Sequence, residues 1–219
     1  MFDGKFRQSA DATMAPVGRM LGRAGLSADV LTAGGFVFAL ATAVCIASGL
    51  FWQAIVLLIL AGALDLLDGA VAKATQRTSK RGSFFDSVVD RVSDAVMLGG
   101  VAYYISAHHH GTLVLLPFGL LTTFLMISYQ RSKAESLGIP AKGGLMERAE
   151  RLVLLGVALS YRAWFIPWLW VMLALTAMTM VGRFYRVWQA AERPAPAAPS
   201  PPRHYGERLR RRSYRASRH

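Results

Sequence analysis

DLLDGAVAKATQRTSKRGSFFDSVVD, residues 65–90, decides how this chain is built. Its aspartates fall in two pairs, Asp65 with Asp68 and Asp86 with Asp90, at spacings of three and four residues. On helices each pair shares one face. The segment between the pairs carries Lys73, Arg77, Lys80 and Arg81. Two helices joined there would gather four carboxylates beside a basic rim. The runs on either side are apolar, so the four acids stand at the inner ends of membrane-like segments. Uncompensated carboxylates at such a boundary are costly. Hard divalent ions that take oxygen ligands, Mg²⁺ above all, would compensate them.

The rest of the chain supports the membrane reading. Of 219 residues, 53% are hydrophobic, too many for an ordinary soluble domain of this size. Six apolar runs follow one another near 30–50, 52–74, 85–106, 113–129, 152–161 and 165–187. Most approach the roughly 20 residues that a bilayer needs. The fifth is short, so it either brings Arg151 to membrane depth or continues through Trp164. The expected fold is therefore all-α and integral to the membrane, with six transmembrane helices. Residues 1–28 mix Phe2, Phe6, Met14, Val17, Met20 and Leu21 with Lys5, Arg7, Arg19 and Arg23, the pattern of an interfacial amphipathic helix. Residues 190–202 are a Pro/Ala linker, and the last 17 residues hold seven arginines, a disordered basic tail suited to anionic lipid. The division is thus 1–28, 29–189 and 190–219.

Charge sets the orientation. The loops after the second and fourth runs are basic, and so are both termini, whereas the other turns carry only Arg162 among Lys and Arg. Both termini and the aspartates accordingly face the cytoplasm of a multi-pass cell-membrane protein. The net charge of +12 then reflects lipid head groups rather than nucleic acid. No continuous apolar core of a cleavable signal peptide is visible at the N-terminus. Cys45, alone in an apolar run, reads as packing, and His108, His109 and His110 as a solvated turn, since three adjacent histidines cannot share a helix face.

Carboxylates holding two divalent ions suit phosphoryl transfer, with a further carboxylate to take a proton from an attacking hydroxyl. Basic residues at 130–151 and 183–186 could hold a second, anionic substrate. An ion or proton transporter would also use intramembrane acids, but these cluster at one boundary and no acids continue a path through the last three runs. A scaffold acting through the basic tail leaves the aspartates unexplained.

Asp65-x-x-Asp68-Gly69-x-x-Ala72-Lys73, eight residues, Gly82-x-x-x-Asp86-x-x-x-Asp90 resembles the signature of the CDP-alcohol phosphotransferase family, DxxDGxxAR, eight residues, GxxxDxxxD. Every spacing agrees. The departure is Lys73 for the family's arginine, which keeps the charge and loses bidentate pairing to a diphosphate. The resemblance implies a six-span domain over about 29–189 and a pair of Mg²⁺ or Mn²⁺ ions on Asp65, Asp68 and Asp86, with Asp90 near the second. It also implies that Asp90 is the general base and that Asp29, Thr32, Gly69, Ala72, Lys73, Thr78 and Gly82 bind a CDP-linked lipid. Asp29 and Thr32 match the family's motif at the start of its first span except for its proline, here Ala28. Homodimers are common in the family.

The acceptor is indicated by SYQRSKAES (128–136), ERAER (147–151) and DRVSD (90–94), which resemble the actinobacterial phosphatidylinositol phosphate synthases of this family. By local match Ser128, Arg131, Arg148, Arg151 and Arg183 would bind the phosphate of myo-inositol 3-phosphate. The expected reaction transfers a phosphatidyl group from CDP-diacylglycerol to that acceptor and releases CMP. Glycerol 3-phosphate, giving phosphatidylglycerol phosphate, is the rival, because a basic pocket alone does not separate two anionic polyol phosphates.

Overall fold

The computed structural model describes residues 16–75, 79–141 and 146–192, and every regular element among them is helical. A helix described over 16–23 (α1) precedes α2 (Ala28–Ala47), α3 (Phe51–Ala74), α4 (Lys80–His108), α5 (Leu115–Ser136), α6 (Arg148–Ser160) and α7 (Phe165–Glu192). Short 3-10 turns lead into α5 and α7. Residues 1–15 of the expected interfacial helix, Arg77, Thr78 and the C-terminal tail lie outside the described residues.

Local chemistry accounts for the ends of the helices. The Ser27 side chain accepts from the Val30 N–H and caps α2, with Asp29 in the first turn beside the positive helix end. Ser79 caps α4 by accepting from the Gly82 N–H at 2.9 Å. Gly49, at φ +72°, ends α2 with paired backbone bonds, Leu50 N–H to Cys45 O and Gly49 N–H to Ile46 O. That left-handed residue turns the chain straight back into α3. Gly138, at φ +74°, ends α5 in the same way.

Several boundaries differ from the sequence expectation. The basic stretch SYQRSKAES, read as following a span, continues α5 to Ser136. Its Ala, Lys, Arg and Glu are good helix formers, and Arg131 pairs with Glu135 one turn on. The helix α4 likewise begins at Lys80, and α7 runs on to Glu192. His108 belongs to α4 rather than to a turn: its ring stacks on Tyr104 at 4.3 Å, and Nδ1 lies 2.9 Å from the Tyr104 carbonyl.

Four of these segments are long and apolar enough to cross a membrane: Ala28–Ala47, Phe51–Ala74, Thr112–Ser136 and Arg162–Glu192. The first turns of α4 hold Lys80, Arg81, Asp86, Asp90, Arg91 and Asp94, and α6 has only 13 residues. The chain is a membrane-embedded helical protein. Many large apolar side chains, such as Trp52, Val56, Ile59, Phe118 and Met178, point outward, as a lipid-facing surface requires.

The helix α2 lies against α3 and α4, α5 lies against α7, and α6 packs on α3 and α7. Phe51 of α3, Tyr104 of α4 and Phe165 of α7 meet at one end of the bundle, with ring centroids 4.9 to 5.6 Å apart. Because Phe51 begins α3 and Tyr104 lies near the end of α4, these two helices run antiparallel. Their other ends therefore bring the two aspartate pairs together. Cys45 is half buried against the core, as a packing residue.

Gly100 of α4 sits directly against the Ala43 backbone, where an added Cβ would overlap the carbonyl of α2. Gly100→Ala is expected to cost about 1–3 kcal/mol, because backbone cannot swing aside as a side chain can. Thermal unfolding in detergent should show a lowered midpoint. An unchanged midpoint would mean that this contact does not set the α2–α4 spacing.

Candidate active site

Asp65, Asp68 and Asp86 each offer one carboxylate oxygen, and the three oxygens lie within 4.8 Å of one another. Two come from the second half of α3 and one from the start of α4. Asp68 is buried, and the Thr32 hydroxyl of α2 lies 2.7 Å from its Oδ2. Asp90 stands one turn further along α4. Arg148, the first residue of α6, joins it to the cluster: Nη1 pairs with Asp90 Oδ1 at 2.7 Å and also meets Asp65 Oδ1. These are ion pairs without the angles of hydrogen bonds. Arg91 also approaches Asp90, at 3.7 Å.

The donor set fits a hard divalent cation. All three ligands are anionic oxygens, gathered closely enough to repel one another unless a cation lies among them. Asp65, Asp68 and Asp86 would hold such an ion. Thr32 orients Asp68 from behind, as outer partners of metal ligands do. Thr32→Val removes that hydroxyl and is expected to weaken Mn²⁺ binding by roughly tenfold. Titration of the purified protein followed by electron paramagnetic resonance would measure it, and an unchanged affinity would leave Thr32 to another task.

The described residues expected to receive a CDP-linked lipid come from α2, α3 and the start of α4. Asp29 and Gly82, 53 positions apart in sequence, are neighbours: a Cβ added at Gly82 would lie 3.4 Å from Asp29 Oδ1 and 3.2 Å from Ser79 Oγ. Gly69 has open space where its side chain would be. Ala72 is half buried, and Lys73 is exposed on the last turn of α3. Thr78 lies outside the described residues.

The expected acceptor residues separate into two tiers. Arg131 of α5 and Arg183 of α7 both face Glu147, at 3.7 and 3.8 Å. Arg183 also donates to the Ile127 carbonyl at 2.9 Å and lines a cavity of about 50 Å³ with Pro140, Ala141, Arg186 and Val187. Ser128 is half buried one turn before Arg131. Arg183 is 2% exposed and Arg151 4%, so neither stands at the rim. Arg151 Nη2 donates to Asp94 Oδ2 at 2.8 Å, and its guanidinium lies over the Phe124 ring, 4.5 Å from the centroid. Glu147 and Asp94 carried only weak sequence signals. Glu147 opens the ERAER run, and Asp94 lies one turn beyond Asp90.

Residues 26–181 match the model of the family described as CDP-alcohol phosphatidyltransferase. The chain belongs to that family. A CDP-alcohol phosphatidyltransferase is an enzyme of phospholipid synthesis. The archaetidylinositol phosphate synthase of Methanothermobacter thermautotrophicus is 39% identical over 175 residues, 76% of this chain and 86% of the relative. The phosphatidylinositol phosphate synthase of Cutibacterium acnes is 38% identical over 162 residues, 71% of this chain and 76% of the relative. Among solved structures, the Mycobacterium tuberculosis phosphatidylinositol phosphate synthase with CDP-DAG bound superimposes with a TM-score of 0.73 at 28% identity, covering 84% of this chain and 98% of that one. The same enzyme in complex with manganese and citrate also gives 0.73, at 27% identity, covering 85% and 96%. The phosphatidyltransferase described here thus shares its fold with an enzyme solved with a divalent metal.

Proposed function

We propose that this phosphatidyltransferase transfers the phosphatidyl group of CDP-diacylglycerol to myo-inositol 3-phosphate, giving phosphatidylinositol phosphate and CMP. One observation carries the reading: Arg148 reaches Asp65 and Asp90 from α6, so a basic acceptor site adjoins the carboxylates. Relatives and structural neighbours named as inositol phosphate lipid synthases support the acceptor.

Asp65, Asp68 and Asp86 would hold Mg²⁺ or Mn²⁺, with Asp90 near a second ion, and such ions would supply charge neutralisation for the diphosphate and the departing phosphate. Asp29, Thr32, Gly69, Ala72, Lys73, Thr78 and Gly82 frame the nucleotide and diphosphate. Ser128, Arg131, Arg148 and Arg183 bind the acceptor phosphate, and Arg151 supports them from behind. Asp90 accepts the proton of the attacking hydroxyl. The hydroxyl oxygen bonds to the phosphorus that carries the lipid alcohol. The bond from that phosphorus to the oxygen of CMP breaks, and CMP leaves with the electron pair.

Residues 29–189 form the catalytic domain, with α2–α7 as six spans. The charged starts of α4 and α6 lie at the cytoplasmic boundary, and both termini face the cytoplasm of the cell membrane. The N-terminal interfacial helix includes 16–23, where Gly18 packs on the carbonyl of Ala70, within the signature. A homodimer is carried over from the family, and chemical cross-linking in native membranes tests it.

The deciding experiment is CMP release by purified protein with CDP-diacylglycerol and Mg²⁺, offering inositol phosphate, glycerol phosphate, inositol and serine separately. Release with inositol phosphate alone is expected. Release with glycerol phosphate alone would keep the aspartate chemistry and replace the acceptor.

A further inference from the structure

Asp94 lies outside the eight-spaced signature, yet it is the most enclosed carboxylate near the site, at 4% exposure. It stands one turn beyond Asp90 on the same face of α4. Two arginines from the first turn of α6 converge on it. Arg151 Nη2 donates to Oδ2 at 2.8 Å, and Arg148 Nε faces Oδ1 at 3.9 Å. Arg148 then reaches past Asp94 to Asp90 and Asp65. Arg151 is clamped on both sides, by Asp94 and by the Phe124 ring.

We propose that Asp94 is a positioning residue for the acceptor: it locks the first turn of α6 to α4 and so sets the distance between the acceptor arginines and Asp90. The inference rests on the proposed reaction and deepens it. One helix carries the base, Asp90, and the anchor, Asp94, four residues apart. The other carries Arg148, which faces both. An acceptor held by its phosphate at Arg148 therefore meets Asp90 at a spacing that the Asp94–Arg151 pair imposes. Asp94 touches neither substrate in this arrangement. The CDP-linked lipid, held by α2, α3 and the start of α4, does not depend on it.

The test begins with the acceptor panel on the parent protein, which judges the reaction separately. KM is then measured for the accepted acceptor and for CDP-diacylglycerol in Asp94→Asn. The acceptor KM should rise at least about tenfold, as expected when a reactant is held out of place. The CDP-diacylglycerol KM should stay within about twofold. A purely structural role would lower the active fraction and leave both KM values unchanged. Should Asp94→Asn not fold, Asp94→Asn with Arg151→Met removes both buried charges together and should show the same split. An unchanged acceptor KM, equal rises in both KM values, or loss of folding in both variants would overturn the proposal. If the parent uses glycerol phosphate, the acceptor assignment falls and the Asp94 test proceeds with that acceptor. If the parent uses only an uncharged alcohol, both fall.

Discussion

Asp90→Asn is expected to slow CMP release roughly a thousandfold, within the range that a positioned general base contributes. Asparagine keeps the shape of the side chain but does not take up the hydroxyl proton. Asp90 is well placed for that task. It pairs with Arg148 without being one of the three clustered oxygens of Asp65, Asp68 and Asp86. A carboxylate there can meet the acceptor, whereas Asp65, which also pairs with Arg148, is one of the three that would hold the metal. The variant should still bind CDP-diacylglycerol and unfold at a similar temperature, because Asp65 and Asp94 still face Arg148. Single-turnover CMP release is the direct measurement. A rate within tenfold of the parent would remove Asp90 from proton transfer and direct attention to the other acids of the cluster.

Chelation of divalent ions should reduce CMP release to background, and added Mg²⁺ or Mn²⁺ should restore it. Metal stabilisation of a phosphoryl transition state is worth several kcal/mol, and each ~1.4 kcal/mol is tenfold in rate, so a loss of at least about a thousandfold is expected. The cause is electrostatic. Three carboxylate oxygens within 4.8 Å of one another repel a diphosphate unless cations lie between them. Arg148 provides a single positive charge directed at Asp65 and Asp90. Counting bound Mn²⁺ per chain in the same experiment distinguishes one ion from two. Full activity in thoroughly chelated protein would sink the metal mechanism while leaving the fold intact.

Much of this was legible in the chain itself. Aspartate spacings of three and four placed each pair on one helical face, and the gapped signature from Asp65 to Asp90 tied both pairs to one chemistry. Apolar runs located the helices α2 to α7 within a few residues at most ends. The exceptions were charged ends, such as SYQRSKAES and the Lys80 turn, where hydropathy stops but helix propensity does not.

The arginines show where a one-dimensional reading ends. Arg148 and Arg151 sit three residues apart in ERAER and look equivalent as bases. In the folded chain, Arg148 faces Asp65 and Asp90, and Arg151 is enclosed by Asp94 and Phe124. Glu147, with little to distinguish it in sequence, lies between Arg131 and Arg183 from two other helices. Thr32 reaches Asp68 across 36 positions. By itself the sequence determined the helices, the family and the acidic cluster, because periodicity and short spacings are local properties of a chain. Which basic residue faces the paired aspartates and which is enclosed against Asp94 was decided only by tertiary structure. An ion pair depends on distances between helices, and those distances are set by packing contacts such as Gly100 on Ala43.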